Sequence, residues 1–213
     1  MIGPLLLSFD KKVAFYKNWP RLCKAMLLPA LFYIVWDMSF TKSGVWSFNE
    51  NYITGIKIVN LPIEEVLFFF VVPYCCVFIY ECIKSYFPKI QNNHFSKWLL
   101  NLIAIILLII AVFHHERAYT FFTCLFFGVF VFFLHTNKRI YFNRAAFLVS
   151  YLIILIPFLL INGLLTSIPV VLYNNAENLS MRIFTIPVED VFYGMLLIMM
   201  NVAGYEKYKN LKT

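Results

Sequence analysis

The sequence predicts an all-α, polytopic membrane protein, and three observations predict it. Of 213 residues, 62% are hydrophobic and only 14% are charged, where a soluble domain holds about half and a quarter. The apolar residues gather in six stretches, each near the roughly 20 residues that a helix needs to cross a bilayer. The Lys and Arg residues fall almost entirely in alternate connections between those stretches. This pattern excludes a soluble globular enzyme, a disordered chain and a nucleic-acid partner; the lipid bilayer is the partner that the composition requires.

In chain order the expected spans are Leu22–Phe40, Pro62–Ile83, Trp98–Phe113, Ala118–His135, Ala145–Leu165 and Pro187–Glu206. Lys11, Lys12, Lys17, Arg21 and Lys24 precede the first. Lys84, Lys89 and Lys97 follow the second, Lys138, Arg139 and Arg144 follow the fourth, and Lys207, Lys209 and Lys212 close the chain. Fourteen of the 18 basic residues thus lie on one side, leaving Lys42, Lys57, Arg117 and Arg182 on the other. The positive-inside rule places both termini in the cytoplasm. The formal net charge of +7 is therefore a topology signal. Met1–Phe9 is too short for a signal peptide, and its charges follow the apolar stub instead of preceding it. Five cysteines without C-x-x-C spacing give neither a disulfide framework nor a zinc knuckle.

The chemistry lies in an internal repeat. Leu61-Pro-Ile-Glu-Glu-Val runs to Tyr80-Glu81, and Ile186-Pro-Val-Glu-Asp-Val runs to Tyr205-Glu206. The offset is 125 residues without a gap, and six of 21 positions are identical, where chance gives roughly one or two. The offset extends to Asn49 with Asn174, Lys57 with Arg182 and Asp37 with Asn162. One repeat step covers four spans, so both copies point the same way about an axis along the membrane normal. The expected organisation is a first repeat over residues 1–97, a linking span over 98–117 and a second repeat over 118–213. By the same comparison a seventh, N-terminal span is expected and missing, because a full span precedes the basic loop only in the second half.

Pro62 and Pro187 suit the first helical position, where their lack of an N–H costs nothing. Glu64, Glu65, Glu189 and Asp190 then fall in the first helical turns, where the dipole favours negative charge. Capping is one role for such acids. Two acidic pairs under one pseudo-twofold axis at membrane depth point instead to a shared interior site. One carboxyl of each pair can face a cavity while its neighbour, about 100° away, meets another helix. Glu81 and Glu206 lie 17 residues further on and read as interfacial acids beside the cytoplasmic lysines. Among 41 aromatic residues, Trp46, Phe48 and Tyr52 have the best claim to a substrate, because they lead into the first motif. No G-x-G-x-x-G or phosphate loop occurs, so no flavin, nicotinamide or nucleotide cofactor is expected. His94, His114, His115 and His135 form no iron-binding cluster, and no Asp-rich pyrophosphate motif exists, so no metal is expected either.

Gly44-Val-Trp-Ser-Phe-Asn49, Leu61 to Phe70 and Ile186-Pro-Val-Glu-Asp190 resemble the membrane-integral, flavin-independent lycopene cyclases, in their fused single-chain form. The resemblance covers nearly the whole chain. It implies seven spans and conversion of the ψ-ends of lycopene to β-rings through γ-carotene, in the company of other carotenoid-pathway enzymes. A bacterial cytoplasmic membrane is the expected location. The chemistry stands without the name: one carboxylic acid protonates the terminal double bond, the C5–C6 π-bond attacks the C1 cation, and a base removes the proton at C6. Glu64 and Glu189 are expected to be the more critical pair, being Glu in both copies, with Glu65 and Asp190 as partners. Asp37, Trp46, Asn49, Pro62, Asn174 and Pro187 are expected to support them. The rival readings are a small proton-coupled transporter and a non-catalytic carotenoid-binding protein. The transporter predicts acids deep in broken spans, whereas these acids sit at span entrances and only Pro73 and Pro157 are expected to interrupt spans.

Overall fold

The computed structural model describes residues 1–137 and 140–210; Lys138, Arg139 and Lys212, counted in the charge asymmetry, lie outside them. Among the described residues seven α-helices carry the chain: α1 (Ile2–Leu7), α2 (Trp19–Ser43), α3 (Ile63–Tyr86), α4 (His94–Phe113), α5 (Ala118–Thr136), α6 (Arg144–Ser167) and α7 (Glu189–Asn210). Six of them lie on the six expected spans, mostly longer by a few residues, because hydropathy marks only the apolar middle of a helix. Five segments are long and apolar enough to cross a membrane: Phe15–Ser43, α3, α4, α5 and α6. The expected sixth span forms as α7 but is not one of the five. Its position explains its composition. α7 packs against α2, α3, α5 and α6 and buries Glu189, Asp190, Asn201 and Glu206 along with its apolar residues. A helix enclosed by other helices needs no lipid-facing side. α2, α4, α5 and α6, by contrast, present Leu28, Val112, Phe132 and Ile156 outward.

Prolines 73 and 157 lie inside α3 and α6 as expected, and Pro29 inside α2 is a third interior proline. The α4–α5 hairpin closes tightly at Gly128, where a Cβ would run into the Leu108 side chain. The helices carry the fold, as the all-α expectation has it; among the described residues the connections add a little extended backbone. Six short strands form three antiparallel pairs in the connections at one end of the bundle: β1 (Trp46–Phe48) with β4 (Val171–Tyr173), β2 (Lys57–Ile58) with β3 (Leu61–Pro62), and β5 (Arg182–Ile183) with β6 (Ile186–Pro187). Runs of two or three residues are too short to leave a period-2 pattern.

Contacts in these connections recur at the 125-residue offset. Asn49 N–H donates to Val170 O and Asn174 N–H to Val45 O, both at 2.9 Å. Ile63 N–H reaches Ile56 O at 2.9 Å, and Val188 N–H reaches Met181 O at 3.0 Å. Val59 and Phe184, at the two hairpin tips, share left-handed φ values of 60° and 58°, a strained conformation for a β-branched or bulky residue. At the other end of the bundle, Lys84 bridges Glu81 and Glu206, while Lys209 bridges Glu81 at 2.6 Å. Tyr80 Oη donates to Glu206 at 2.9 Å. Glu81 and Glu206 are both buried, and pairing is what makes two buried carboxylates tolerable.

Candidate active site

The two strand pairs β2–β3 and β5–β6 deliver the chain into α3 and α7. Pro62 serves as N-cap of α3, one position earlier than expected, because it still belongs to the strand and lies opposite Lys57. Pro187 holds the matching place opposite Arg182. The first acid of each motif turns back to its own loop. Glu64 Oε1 accepts from Thr54 N–H at 2.7 Å, and Glu189 Oε1 accepts from Leu179 N–H at 2.7 Å. Those two loop residues are again 125 apart. Glu189 also accepts from Thr120 Oγ1 of α5 at 2.6 Å and is buried, whereas Glu64 is exposed.

The second acid of each motif points inward. Glu65 and Asp190 line one cavity of about 80 Å³ together with Asp37 of α2, room for a few waters or the end of a chain. The three carboxyls lie close enough for their charges to interact. Asp190 is held on both oxygens: Tyr119 Oη donates to Oδ1 at 2.5 Å and Tyr173 Oη to Oδ2 at 2.8 Å. Asp37 accepts from Tyr193 Oη at 2.5 Å. Among the described residues the Glu65 carboxyl accepts no hydrogen bond. Burial, with Asp190 beside it, pushes the Tyr173 phenol well above its ordinary range, so it remains a donor.

Aromatic rings wall this acid cluster. Trp46 lies 5.2 Å from Tyr119 and 6.2 Å from Tyr193, and Tyr119 stacks on Tyr173 at 5.9 Å. Their faces can stabilise a cation held in the cavity. Asn162, the counterpart of Asp37, also lines the wall. Among the described residues, no group of three His, Cys, Asp or Glu is arranged to hold a metal ion.

Of the residues expected from sequence, Asp37, Trp46, Phe48, Glu65 and Asp190 come together here. Glu64 and Glu189 do not line the cavity. Asn49 and Asn174 shape the connecting loops: each side chain accepts a backbone N–H two residues on, and Asn174 Nδ2 also donates to Gly44 O. Tyr52 stands exposed. Sequence reading missed Tyr119, Tyr173 and Tyr193. Tyr193 occupies the counterpart position of Phe68, and Tyr173 that of Phe48. A hydroxyl present in one copy only was the available signal.

A bundle of apolar helices with an acid cluster beneath aromatic faces defines a membrane protein with a carboxyl-lined internal site. Comparison with known proteins places it. The profile of the family described as "Lycopene cyclase" matches residues 1–83 and 116–208, well over half of the chain and including both motifs, so this chain belongs to that family. It is 45% identical over 69 residues to "Lycopene beta-cyclase" of Halobacterium salinarum, covering 31% of this chain and 29% of that one. It is 32% identical over 82 residues to "Bifunctional lycopene cyclase/phytoene synthase" of Aspergillus niger, covering 36% of this chain and 14% of that one. The matched stretches thus span less than a third of either curated relative. No solved structure matches the chain.

Proposed function

We propose that the chain is a lycopene β-cyclase, an intramolecular lyase that closes the ψ-ends of lycopene to β-rings, through γ-carotene to β-carotene. The observation that supports this reading is the meeting of Glu65 and Asp190, from two equivalent helix entrances, in one aromatic-walled cavity. Glu65, which accepts no hydrogen bond among the described residues, is assigned the proton donor. Asp190, whose two oxygens accept from Tyr119 and Tyr173, is assigned the base, since an ionised carboxylate is acceptor-only.

The proton of Glu65 passes to C2 of the terminal double bond and leaves a cation at C1. The C5–C6 π-pair forms the C1–C6 bond and moves the cation to C5. Asp190 removes the proton from C6, and that electron pair restores the C5–C6 double bond. One proton enters and one leaves, so no redox partner is required. The faces of Trp46, Tyr119 and Tyr193 stabilise the intermediate charge.

On this reading the two halves form a duplicated unit about one axis and share a single site. Both termini lie on the cytoplasmic side of a bacterial membrane, as the basic residues direct. Expression in lycopene-accumulating cells, with pigment chromatography, tests the proposal. Bicyclic product supports it; unchanged lycopene with the protein inserted overturns it.

A further inference from the structure

A second cavity, of about 210 Å³, runs on from the acid-lined one and shares Phe68, Phe158, Asn162 and Gly194 with it. It lies between α3 and α6. On α3 the stripe is Phe68, Val72, Cys75 and Ile79, spaced at three and four residues and so on one face. From Glu65 to Ile79 that face extends about 21 Å at 1.5 Å per residue. Pro157 and Ile161 form the opposite wall, Met1 also lines the groove, and Ile161 is 59% exposed, so the groove reaches the bilayer-facing surface of the bundle.

The opening is on one side only. The counterpart positions 125 residues away belong to α2 and α3, and there large rings fill the space. Phe69 stands where α7 has Gly194, and Trp36 stands where α6 has Ile161. Tyr33 packs 5.5 Å from Phe69 and 4.8 Å from Tyr193, and Trp36 lies 5.0 Å from Tyr193. At Gly194, by contrast, a Cβ would already lie 3.3 Å from the Phe158 ring. Gly194 is therefore what keeps the two cavities joined.

We infer that this groove binds the body of a linear polyene, admitting it from the bilayer between α3 and α6 so that one end passes Gly194 and reaches Glu65 and Asp190. A slot lined almost wholly by apolar side chains and ending in three acids suits a long hydrocarbon whose reactive end differs from its body. On this inference the second end reaches the acids only after the molecule leaves and turns round. The inference rests on the cyclase reading for the chemistry at its end, and not for the binding.

The test uses the full chain in lipid nanodiscs with lycopene as the probe. Val72→Trp and Ile161→Trp fill the groove, Gly194→Leu closes the junction, and Ile156→Trp alters the outer face of α6 as a control. A small diazirine-bearing photoreactive aliphatic side chain placed at position 72 or at position 156 reports contact without filling the groove or requiring turnover. The expected result is cross-linking to lycopene at 72 and not at 156. A fall of at least tenfold in kcat/KM should accompany it for the three groove variants, with Ile156→Trp within twofold of the parent. If the parent cyclises and the groove variants stay within twofold, the groove is wrong while the cyclase reading stands. If the parent does not cyclise, the cyclase reading fails, and cross-linking at 72 alone then upholds or sinks the groove. Cross-linking at 72 to phospholipid that excess lycopene does not reduce assigns the groove to an acyl chain and overturns the inference.

Discussion

The entrances to α3 and α7 share backbone, proline, strand pair and first-acid anchor, yet their surroundings differ. Glu189 is 2% exposed beneath α5, which supplies Thr120 to it and Tyr119 to Asp190. Over the first entrance no described helix takes the place of α5, so Glu64 is exposed and Leu67, the counterpart of Phe192, is 53% exposed. The pair teaches that identity at a repeated position marks what the local fold needs, here a carboxylate to tie down a loop N–H. The second acids differ, Glu65 against Asp190, and those are the ones turned to the cavity. Among the described residues Asp190 comes with two tyrosine donors and Glu65 with none, so the two carboxyls sit in unlike hydrogen-bonding surroundings.

The comparison breaks first at the second acids. Glu65→Gln and Asp190→Asn are each expected to lower cyclisation by about 10²- to 10⁴-fold, the usual worth of a positioned acid or base. Glu64→Gln is expected to stay within a few-fold. Pigment analysis of inserted protein reads all three, and an equal loss at Glu64 would overturn the division of roles. The product matters too. A shared site leaves lycopene in either crippled variant, whereas predominant γ-carotene in one of them means that each motif serves its own end of the substrate.

The tyrosines sharpen the comparison at the next level. Tyr119→Phe and Tyr173→Phe each remove one donor from Asp190. Hydrogen bonds to a charged group contribute about 1.5–3 kcal/mol, so turnover should fall roughly 10- to 100-fold. Phe48→Tyr, at the counterpart of Tyr173, should gain nothing. A gain there as large as the loss at Tyr173 would mean that the two halves are interchangeable.

Stability separates the first acids. Glu189→Gln weakens a buried tie between α5, the second loop and α7, and is expected to cost about 1–3 kcal/mol. Glu64→Gln loses one exposed loop contact and should cost much less. Thermal unfolding of the detergent-solubilised variants measures the difference, and equal shifts would show that burial under α5 does not set the cost.

Much of this was legible in the residues. Runs such as Leu99–Val112 announce helices because a bilayer forces backbone groups to pair within one segment. The 125-residue offset brought Glu65, Asp190 and Asp37 into view before any geometry. The division of labour between adjacent acids was not legible, since a rotation of about 100° decides which one meets the cavity. Tyr119 was hidden for a different reason: it belongs to α5, outside both motifs, and reaches Asp190 only through helix packing. α7 was legible as a helix; that it packs inside the bundle, against α2, α3, α5 and α6, was not.

The smallest expected effect lies in the loops themselves. In the first, Lys57 Nζ pairs with Glu50 at 2.7 Å. In the second, the counterpart Arg182 Nη2 donates to Asn175 Oδ1 at 2.6 Å. One is a titratable ion pair and the other is not. The hydrogen bond and charge of Lys57 lower the Glu50 pKa below its ordinary value. A carboxyl whose folded value is depressed contributes its full share above the unfolded value, and that share is lost as pH falls through the folded one. Glu50 is largely solvent-exposed and Lys57 partly so, so salt screens the pair and global stability should hardly register it. Local opening should. Hydrogen exchange, corrected for its intrinsic pH dependence, is expected to lose protection over residues 50–58 on acidification below the ordinary glutamate range. Residues 175–183 should keep theirs. Raised salt at neutral pH should loosen the first loop in the same way and leave the second unchanged. Equal loosening of both loops would show that their common hydrogen-bonded backbone, and not the ion pair, sets their local stability.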